Sequence, residues 1–508
     1  MTRKKLILAV TAVVILIIAA IVTWRSMVSS THIAFVNYQP ITLGEIGKAN
    51  NNSFIKIENL DEKKLDKSSK YDMIFVNGMG LRITEEQREW LSKAADKGIP
   101  VITTAATNPD NLIISTDSVD TEFLKQYLQG GGRENYRSML NYVRKYIDGK
   151  KFFIGNIKDP QASPTGLFYH PDISGADGEM HYFNSLSEYQ KFLKDNNLFK
   201  SGAPEIILTG QMGVPDELIN KLEETGNLVY PVSNIQKAIV TGVTDSINPV
   251  AMINMAHGRM GDMVVEYLKS KNIPLFAPLN VNRNYEEWMT DNMGMNGGFM
   301  SQSIVTPEID GAIRPWALFA QYDGTDGVPE IKAIPERLNE FTETVNNYIT
   351  LRSKPNSEKK VVIFYFKGPG QNALVAEGME VAPSLFNLLT KLKQEGYKVE
   401  NMPASSGELE QMLNARGRVF GEYAQGAMND FVKSSNPQVI SENYFKEWVK
   451  KDLCDEMLNE IEAVDGKFPG NGLKTDDGQL ALARLQFGNV VLIPQTAAGN
   501  GDDDFKIV

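Results

Sequence analysis

Short apolar runs alternate with amphipathic stretches along most of the chain. HIAFVNY, YDMIFVNGM and IPVITTAA are typical of buried strands, and TEEQREWLSKAADKG has the period of an amphipathic helix ending at Gly98. A second series has strands PEIILTGQ, NLVYPV and IPLFAPL, with helices over PDELINKLEETG and residues 249–272. A third runs from KKVVIFYF through the helix APSLFNLLTKLKQEG to GNVVLIPQ. The alternation predicts an α/β fold of tandem Rossmann- or flavodoxin-like lobes with parallel sheets.

The N-terminal 30 residues follow a different pattern, because the stretch from Leu6 to Trp24 carries no charge. At 1.5 Å per residue this stretch is long enough for one transmembrane helix. Arg3, Lys4 and Lys5 precede it and Arg25 follows, so the positive-inside rule places the N-terminus in the cytoplasm. We therefore expect a single-pass inner-membrane protein whose soluble part is periplasmic. A cleaved export signal is the alternative, and it gives the same compartment.

Changes in the pattern also indicate domain boundaries. We expect a cytoplasmic tip and anchor over residues 1–30, a first α/β lobe over 31–160 and a second over 161–351. The polar stretch RSKPNSEKK indicates a linker at 352–360. A third α/β region, 361–508, ends within the apolar run FKIV, and we interpret it as cut short at its C-terminus.

Composition excludes several classes of protein. The formal net charge is −11, and nucleic-acid binding is not expected because phosphate neutralisation needs a basic surface. Cys454 is the one cysteine, so neither an intramolecular disulfide nor a cysteine-based metal cluster can form. The four histidines, His32, His170, His181 and His257, make no H-E-x-x-H pair, which argues against a catalytic zinc.

Nucleotide motifs are weak. The segment VVIFYFKGPGQNA contains G-x-G-x-x-A after a strand, but Pro369 and a long insertion separate it from the next helix, so we expect no NAD site. No P-loop spacing occurs, and we expect no ATP site. The acidic segment NGDDDF lacks the EF-hand spacing and is interpreted as a solvated loop rather than a cation site.

Methionines cluster around AMINMAHGRMGDM. Thioether and imidazole groups suit haem iron or copper, and methionine side chains also line pockets for large apolar ligands; ordinary core packing is the alternative. If this segment is one helix, Met252, Met255 and Met263 lie near one face, and His257 points almost oppositely. At most one set then faces a ligand: either Met255 contacts it, or His257 provides an axial ligand with Arg259 pairing to a ligand carboxylate.

His170 is a further candidate, in the segment YHPD. It could face a cleft between lobes and contact a ligand there. Alternatively, the segment is a turn set by Pro171 and capped by the Asp172 side chain.

Five segments taken in order resemble the CobN/magnesium-chelatase family, the large subunits of cobaltochelatase and magnesium chelatase. Each segment alone is weak, but together they extend over residues 120–508. They are YLQGGGRENYRSMLNYV with Gly131, Gly132 and Asn135; PTGLFYHPDI with Phe168 to Asp172; IVTPEIDGAIRP with Pro307, Glu308, Asp310 and Gly311; APSLFNLLTKLKQEGYKVENMP; and FGNVVLIPQTAAGNGDDD.

The resemblance implies an enzyme subunit that binds a tetrapyrrole, haem or a corrinoid, as substrate and acts on its metal, with chelatase or haem-uptake subunits as partners. It also implies that much of the tetrapyrrole-handling body follows Val508. An extracytoplasmic position would separate the chain from ATPase partners, which favours removal of haem iron over insertion of cobalt. The alternatives are a membrane-tethered tetrapyrrole carrier without catalysis and a structural scaffold.

Overall fold

The computed structural model describes residues 3–163, 165–173, 180–210, 215–295, 297–324, 328–366, 374–376, 378–417, 427–470 and 474–495. The chain forms two compact units, Met1–Ile349 and Thr350–Val508. The first unit ends two residues before the predicted end of the second lobe at residue 351, and the predicted linker begins just after the boundary.

The N-terminal apolar stretch forms helix α1 (Arg3–Met27). Its side chains from Val13 to Trp24 are largely exposed. Across the described residues, no helix combines the length and apolarity needed to cross a bilayer. The membrane anchor stays a prediction.

The first lobe is built on a four-stranded parallel sheet of order β2-β1-β3-β4. Helices α2, α4 and α5 cover one face, and α3 with a 3-10 segment covers the other. Burial on both faces explains the continuous apolar runs in the strands. Its elements are β1 (Thr31–Val36), α2 (Pro40–Ala49), β2 (Ile55–Asn59), β3 (Met73–Gly78), α3 (Glu85–Asp96), β4 (Val101–Ala106), α4 (Ser118–Gly130) and α5 (Gly132–Tyr142).

The second lobe carries an eight-stranded mixed sheet. Its elements are β5 (Phe168–Pro171), β6 (Met180–Phe183), α6 (Leu186–Asp195), β7 (Glu205–Thr209), α7 (Pro215–Glu224), β8 (Leu228–Val232), α8 (Ile235–Val240), β9 (Pro249–Asn254), α9 (Asp262–Lys271), β10 (Leu275–Asn284), α10 (Tyr285–Thr290), α11 (Gly297–Met300), α12 (Thr306–Ile309), β11 (Ala312–Asp323), β12 (Pro329–Ala333) and α13 (Pro335–Ser353).

The strand order in this sheet is β12-β11-β10-β9-β7-β8-β5-β6. The five central strands are parallel, whereas β12, β5 and β6 pair antiparallel at the edges. Helices α6, α8 and α9 pack on one face, and α7 and α13 pack on the other. The α/β class with parallel strands is confirmed, with antiparallel edges that the sequence pattern did not indicate.

The helix predicted over residues 249–272 is wrong in its first half. Residues 249–254 form the central strand β9, whose Met252 and Ile253 are fully buried. Such a strand is covered on both faces, so its continuous apolar run lacks the alternation that distinguishes strand from helix. Gly258 and Gly261 then adopt positive φ angles of 80° and 95°, and helix α9 begins only at Asp262.

The second unit contains a three-stranded sheet of order β13-β19-β18, with β13 and β19 parallel as predicted. Helices α14 and α15 pack against it. Its elements are β13 (Val361–Tyr365), β14 (Val375–Ala376), β15 (Met379–Glu380), α14 (Val381–Gln394), α15 (Ser406–Arg416), α16 (Ala427–Ser435), β16 (Gln438–Ile440), α17 (Glu442–Asp452), α18 (Asp455–Asp465), β17 (Leu480–Leu482), β18 (Leu485–Phe487) and β19 (Val490–Pro494).

Candidate active site

A cleft of about 690 Å³ opens between the two lobes of the first unit. This volume is in the range of small-molecule and cofactor sites in proteins. The first lobe contributes α2 and the junction of α4 with α5, and the second contributes β5, β6, β12 and the start of α7. The lining residues are Ile41, Gly44, Glu45, Lys48, Gly130 to Tyr136, Gln161 to Ser163, Tyr169, Met180, Tyr182, Pro215, Asp216 and Ile331.

Close packing of α2 on β12 holds the lobes together beside the cleft. A Cβ atom added to Gly44 would lie 2.8 Å from the carbonyl oxygen of Pro329, and one on Gly47 would lie 3.2 Å from a methyl group of Val328. The two glycines therefore let a helix of one lobe approach a strand backbone of the other. This contact fixes the position of Glu45 and Lys48, which follow on the same helix.

The triple-glycine junction of α4 and α5 forms the first-lobe wall. A Cβ atom on Gly130 would lie 2.2 Å from the carbonyl oxygen of Gln161, while Gly131 and Gly132 have positive φ angles of 58° and 76°. Asn135 closes the turn: its side-chain amide donates to the carbonyls of Gly131 and Gln161, and its carbonyl accepts from the Gln161 backbone N–H at 2.9 Å. The junction thereby presents Arg133 to the cleft.

Five charged side chains line this cleft: Glu45, Lys48, Arg133, Glu134 and Asp216. Glu45 contacts the solvent of the cleft, but the surrounding walls remove much of the bulk water that a free carboxylate would have. This desolvation raises the pKa of Glu45, and Asp216 raises it further, whereas Lys48 and Arg133 lower it. Desolvation also raises the pKa of Asp216 against the lowering effects of Lys48 and Arg133.

Aromatic side chains line the same cleft. Tyr136 comes from the first lobe, and Tyr169 and Tyr182 come from β5 and β6 with ring centroids 6.4 Å apart. Burial raises the pKa of Tyr136 to about 12, with a further contribution from the charge of Glu45. Tyr169 is 1% exposed, and its hydroxyl has no hydrogen-bond partner among the described residues. Such a hydroxyl is unusual, because buried polar groups in proteins are nearly always hydrogen-bonded.

The structure places His170 outside the residues that line this cleft. It lies in strand β5, not in a turn, and is 1% exposed. Its Nδ1 lies 2.7 Å from the carbonyl oxygen of Pro171, and Nε2 lies 3.2 Å from a carboxylate oxygen of Glu223 on α7. The prediction of a YHPD turn is therefore wrong, because residues 168–171 pair with β6. His170 connects the strand that carries Tyr169 to the helix that carries Asp216.

The other three predicted residues lie in or next to the loop after β9, also outside the described lining of the cleft. Met255 is 4% exposed in the core, on the face of the sheet opposite Met252.

The Nδ1 of His257 lies 3.0 Å from the Ser303 hydroxyl, and desolvation lowers the His257 pKa. Arg259 pairs with Asp310 and Asp262. Because no helix spans this segment, the predicted face shared by Met252 and Met255 does not exist; ligand binding by His170, Met255, His257 and Arg259 stays a prediction.

The recognised family segments meet the cleft at two places, the glycine junction and Tyr169. Sequence reasoning missed Glu45, Lys48, Arg133 and Asp216. Arg133 lies inside one of the segments that resemble the family, which was a usable signal, whereas Glu45 and Lys48 have the spacing of ordinary helix-surface charges.

In the described part of the chain, no group of three or more His, Cys, Asp or Glu side chains could hold a metal. The GPGQNA and NGDDDF segments lie outside the described residues.

Comparison with known proteins identifies the family. The family model CobN/Magnesium Chelatase matches residues 125–508. A magnesium-chelatase subunit of Rhodobacter capsulatus is 24% identical over 421 residues, covering 75% of this chain and 33% of that protein. An uncharacterised protein of Methanocaldococcus jannaschii is 22% identical over 413 residues, covering 73% of this chain and 32% of its own length. This chain thus spans about a third of the length of these relatives.

A solved structure shows the same fold. The catalytic subunit of cobaltochelatase from Mycobacterium tuberculosis superposes with a TM-score of 0.63 at 18% identity, covering 92% of this chain and 38% of that one. The match to the family model confirms, at the level of the family, the resemblance found in the sequence. The chain belongs to the CobN/magnesium chelatase family.

Proposed function

We propose that the interlobe cleft binds a tetrapyrrole and that the chain acts on its metal as the large subunit of a chelatase. The observation that carries this proposal is the pairing, in one cleft, of cationic Lys48 and Arg133 with Tyr136, Tyr169 and Tyr182. A tetrapyrrole is a flat apolar macrocycle with carboxylate side chains. Aromatic rings suit the macrocycle, and guanidinium and ammonium groups suit the carboxylates.

Membership of the family supports a reaction at the metal. Its direction is a proposal: the apolar N-terminal stretch would place the chain outside the cytoplasm, away from ATPase partners, which favours removal of haem iron over insertion of cobalt. A periplasmic position predicts that protease added to spheroplasts degrades the soluble part. Protection from protease until the membrane is opened would instead favour cobalt insertion with cytoplasmic partners.

The alternative is a tethered tetrapyrrole carrier without catalysis. The product formed from haem distinguishes a dechelatase from a carrier. Incubation of the full chain with haem and a reductant, followed by extraction, yields metal-free porphyrin for a dechelatase and unchanged haem for a carrier.

We expect both cations of the cleft, Lys48 and Arg133, to contribute to porphyrin binding. Coproporphyrin added to the full chain should shift its Soret band on binding, and Lys48→Met or Arg133→Met should each weaken binding by about tenfold or more, as expected for a charge-assisted hydrogen bond worth about 1.5 kcal/mol or above. Absorbance titration measures the change in Kd.

Lys191→Met removes the same charge from an exposed helix position and serves as the matched control, with unchanged affinity expected. Binding that is equally strong in wild type and both cleft variants would contradict this location for the ligand.

A further inference from the structure

Two carboxyl groups from different lobes share the cleft. Glu45 extends from α2, and Asp216 lies in the first turn of α7. Oδ1 of Asp216 has no hydrogen-bond partner among the described residues, and neither has the hydroxyl of Tyr169. Asp216 and Tyr169 therefore place two unsatisfied oxygen atoms at the wall of the cleft that Glu45 also lines, and the tyrosine is almost fully buried.

Besides the pair, the charged residues that line the cleft are Lys48, Arg133 and Glu134. Lys48 on α2 and Arg133 on α5 act on both carboxyl groups, and desolvation opposes them at each. Tyr136 and Tyr182 lie close enough to interact with Glu45, and Glu217 interacts with Asp216. The two cations thus favour the charged carboxylates, whereas desolvation favours the neutral acids.

An acidic ligand shifts the protonation equilibrium of Glu45 and Asp216 toward the neutral acids. Its carboxylates neutralise Lys48 and Arg133 and bring further negative charge beside Glu45 and Asp216. Both changes favour the protonated carboxylic acids. A protonated carboxyl group can also donate a hydrogen bond, which a carboxylate cannot.

We propose that Glu45 and Asp216 take up protons when an acidic ligand enters the cleft, and that with the Tyr169 hydroxyl they then donate hydrogen bonds to it. This inference rests on the proposed function, since it takes the ligand to be a tetrapyrrole carboxylic acid. The pair thereby selects an anionic ligand rich in acceptors over a metal cation, because a cation bound between the carboxylates would displace protons instead.

The sign of the pH dependence follows from linkage. The bound state holds more protons than the free state, so affinity is highest at low pH and falls as pH rises through the pKa values of the pair. The fall is at most about tenfold per pH unit for each proton taken up.

Isothermal titration calorimetry of the full chain with coproporphyrin measures the proton count directly, by comparing the heat in phosphate and in Tris at one pH. We expect uptake of between one and two protons in wild type. Glu45→Gln and Asp216→Asn should each reduce the uptake, and the double variant should abolish it while retaining binding. Glu224→Gln, an exposed position on the same helix as Asp216, is the matched control and should leave the uptake unchanged.

The outcomes separate the two proposals. No coproporphyrin binding by wild type contradicts the proposed function and this inference with it. Binding with no proton uptake, with proton release, or with uptake that persists in the double variant overturns the inference alone. If the double variant fails to fold, as judged by circular dichroism, the two single variants decide by the same measurement.

Discussion

Replacement of Arg144 by methionine is expected to lower the free energy of unfolding of the first unit by about 3–5 kcal/mol. The Arg144 side chain is fully buried. Its guanidinium donates to the carbonyls of Val28, Ser29, Phe54, Phe152 and Phe153 and to the hydroxyl of Thr31.

Methionine keeps most of the stem volume but removes all of these donors, so several buried carbonyl groups lose their partners. Asp148, which accepts a hydrogen bond from Thr31 at 2.6 Å, would also lose the nearby guanidinium charge. Lys150 is the remaining cation here, 3.3 Å from Asp148 and donating to the Arg25 carbonyl at 2.8 Å. Removal of the Arg144 guanidinium is therefore also expected to weaken the junction between α1 and the first lobe.

Urea denaturation followed by circular dichroism measures the change. Arg82→Met, at an exposed position of the same lobe, is the control, and its effect should stay within about 0.5 kcal/mol. A loss below about 1 kcal/mol in Arg144→Met would show that the buried network does not hold this junction together.

Gly130→Ala should lower stability by about 2–4 kcal/mol and reduce coproporphyrin affinity more than Lys48→Met does. The added methyl group would lie 2.2 Å from the Gln161 carbonyl oxygen and 2.4 Å from the Asn135 side-chain amide. Relief of this overlap requires the turn to move, which breaks the Asn135 hydrogen bonds and displaces Arg133.

Gly298→Ala is the matched control. Gly298 is also helical, yet a Cβ atom there would have no neighbour within 4 Å. Alanine should be neutral or slightly stabilising at that position. Thermal unfolding and the absorbance titration measure both effects, and equal behaviour of the two variants would refute the steric role of Gly130.

Local patterns in the sequence were sufficient for much of the fold. The parallel strands β1, β3 and β4, with α3 between the last two, follow directly from buried apolar runs alternating with an amphipathic period. The segment around Met252 shows where this reasoning fails. Its apolar run is compatible with either a helix or a central strand, and only pairing with β7 and β10 made it a strand.

The sequence by itself determined the α/β class, the positions of most parallel strands, the apolar character of α1 and, through ordered short segments, the family. Those properties depend on neighbours in the chain. Only the tertiary structure decided which charges meet: Glu45 and Asp216 are separated in sequence by most of the first lobe and the beginning of the second, and they come together because Gly44 and Gly47 let α2 pack on β12. A cleft between lobes is formed by contacts between residues that are far apart in the sequence. The spacing of side chains along one helix does not reveal such contacts.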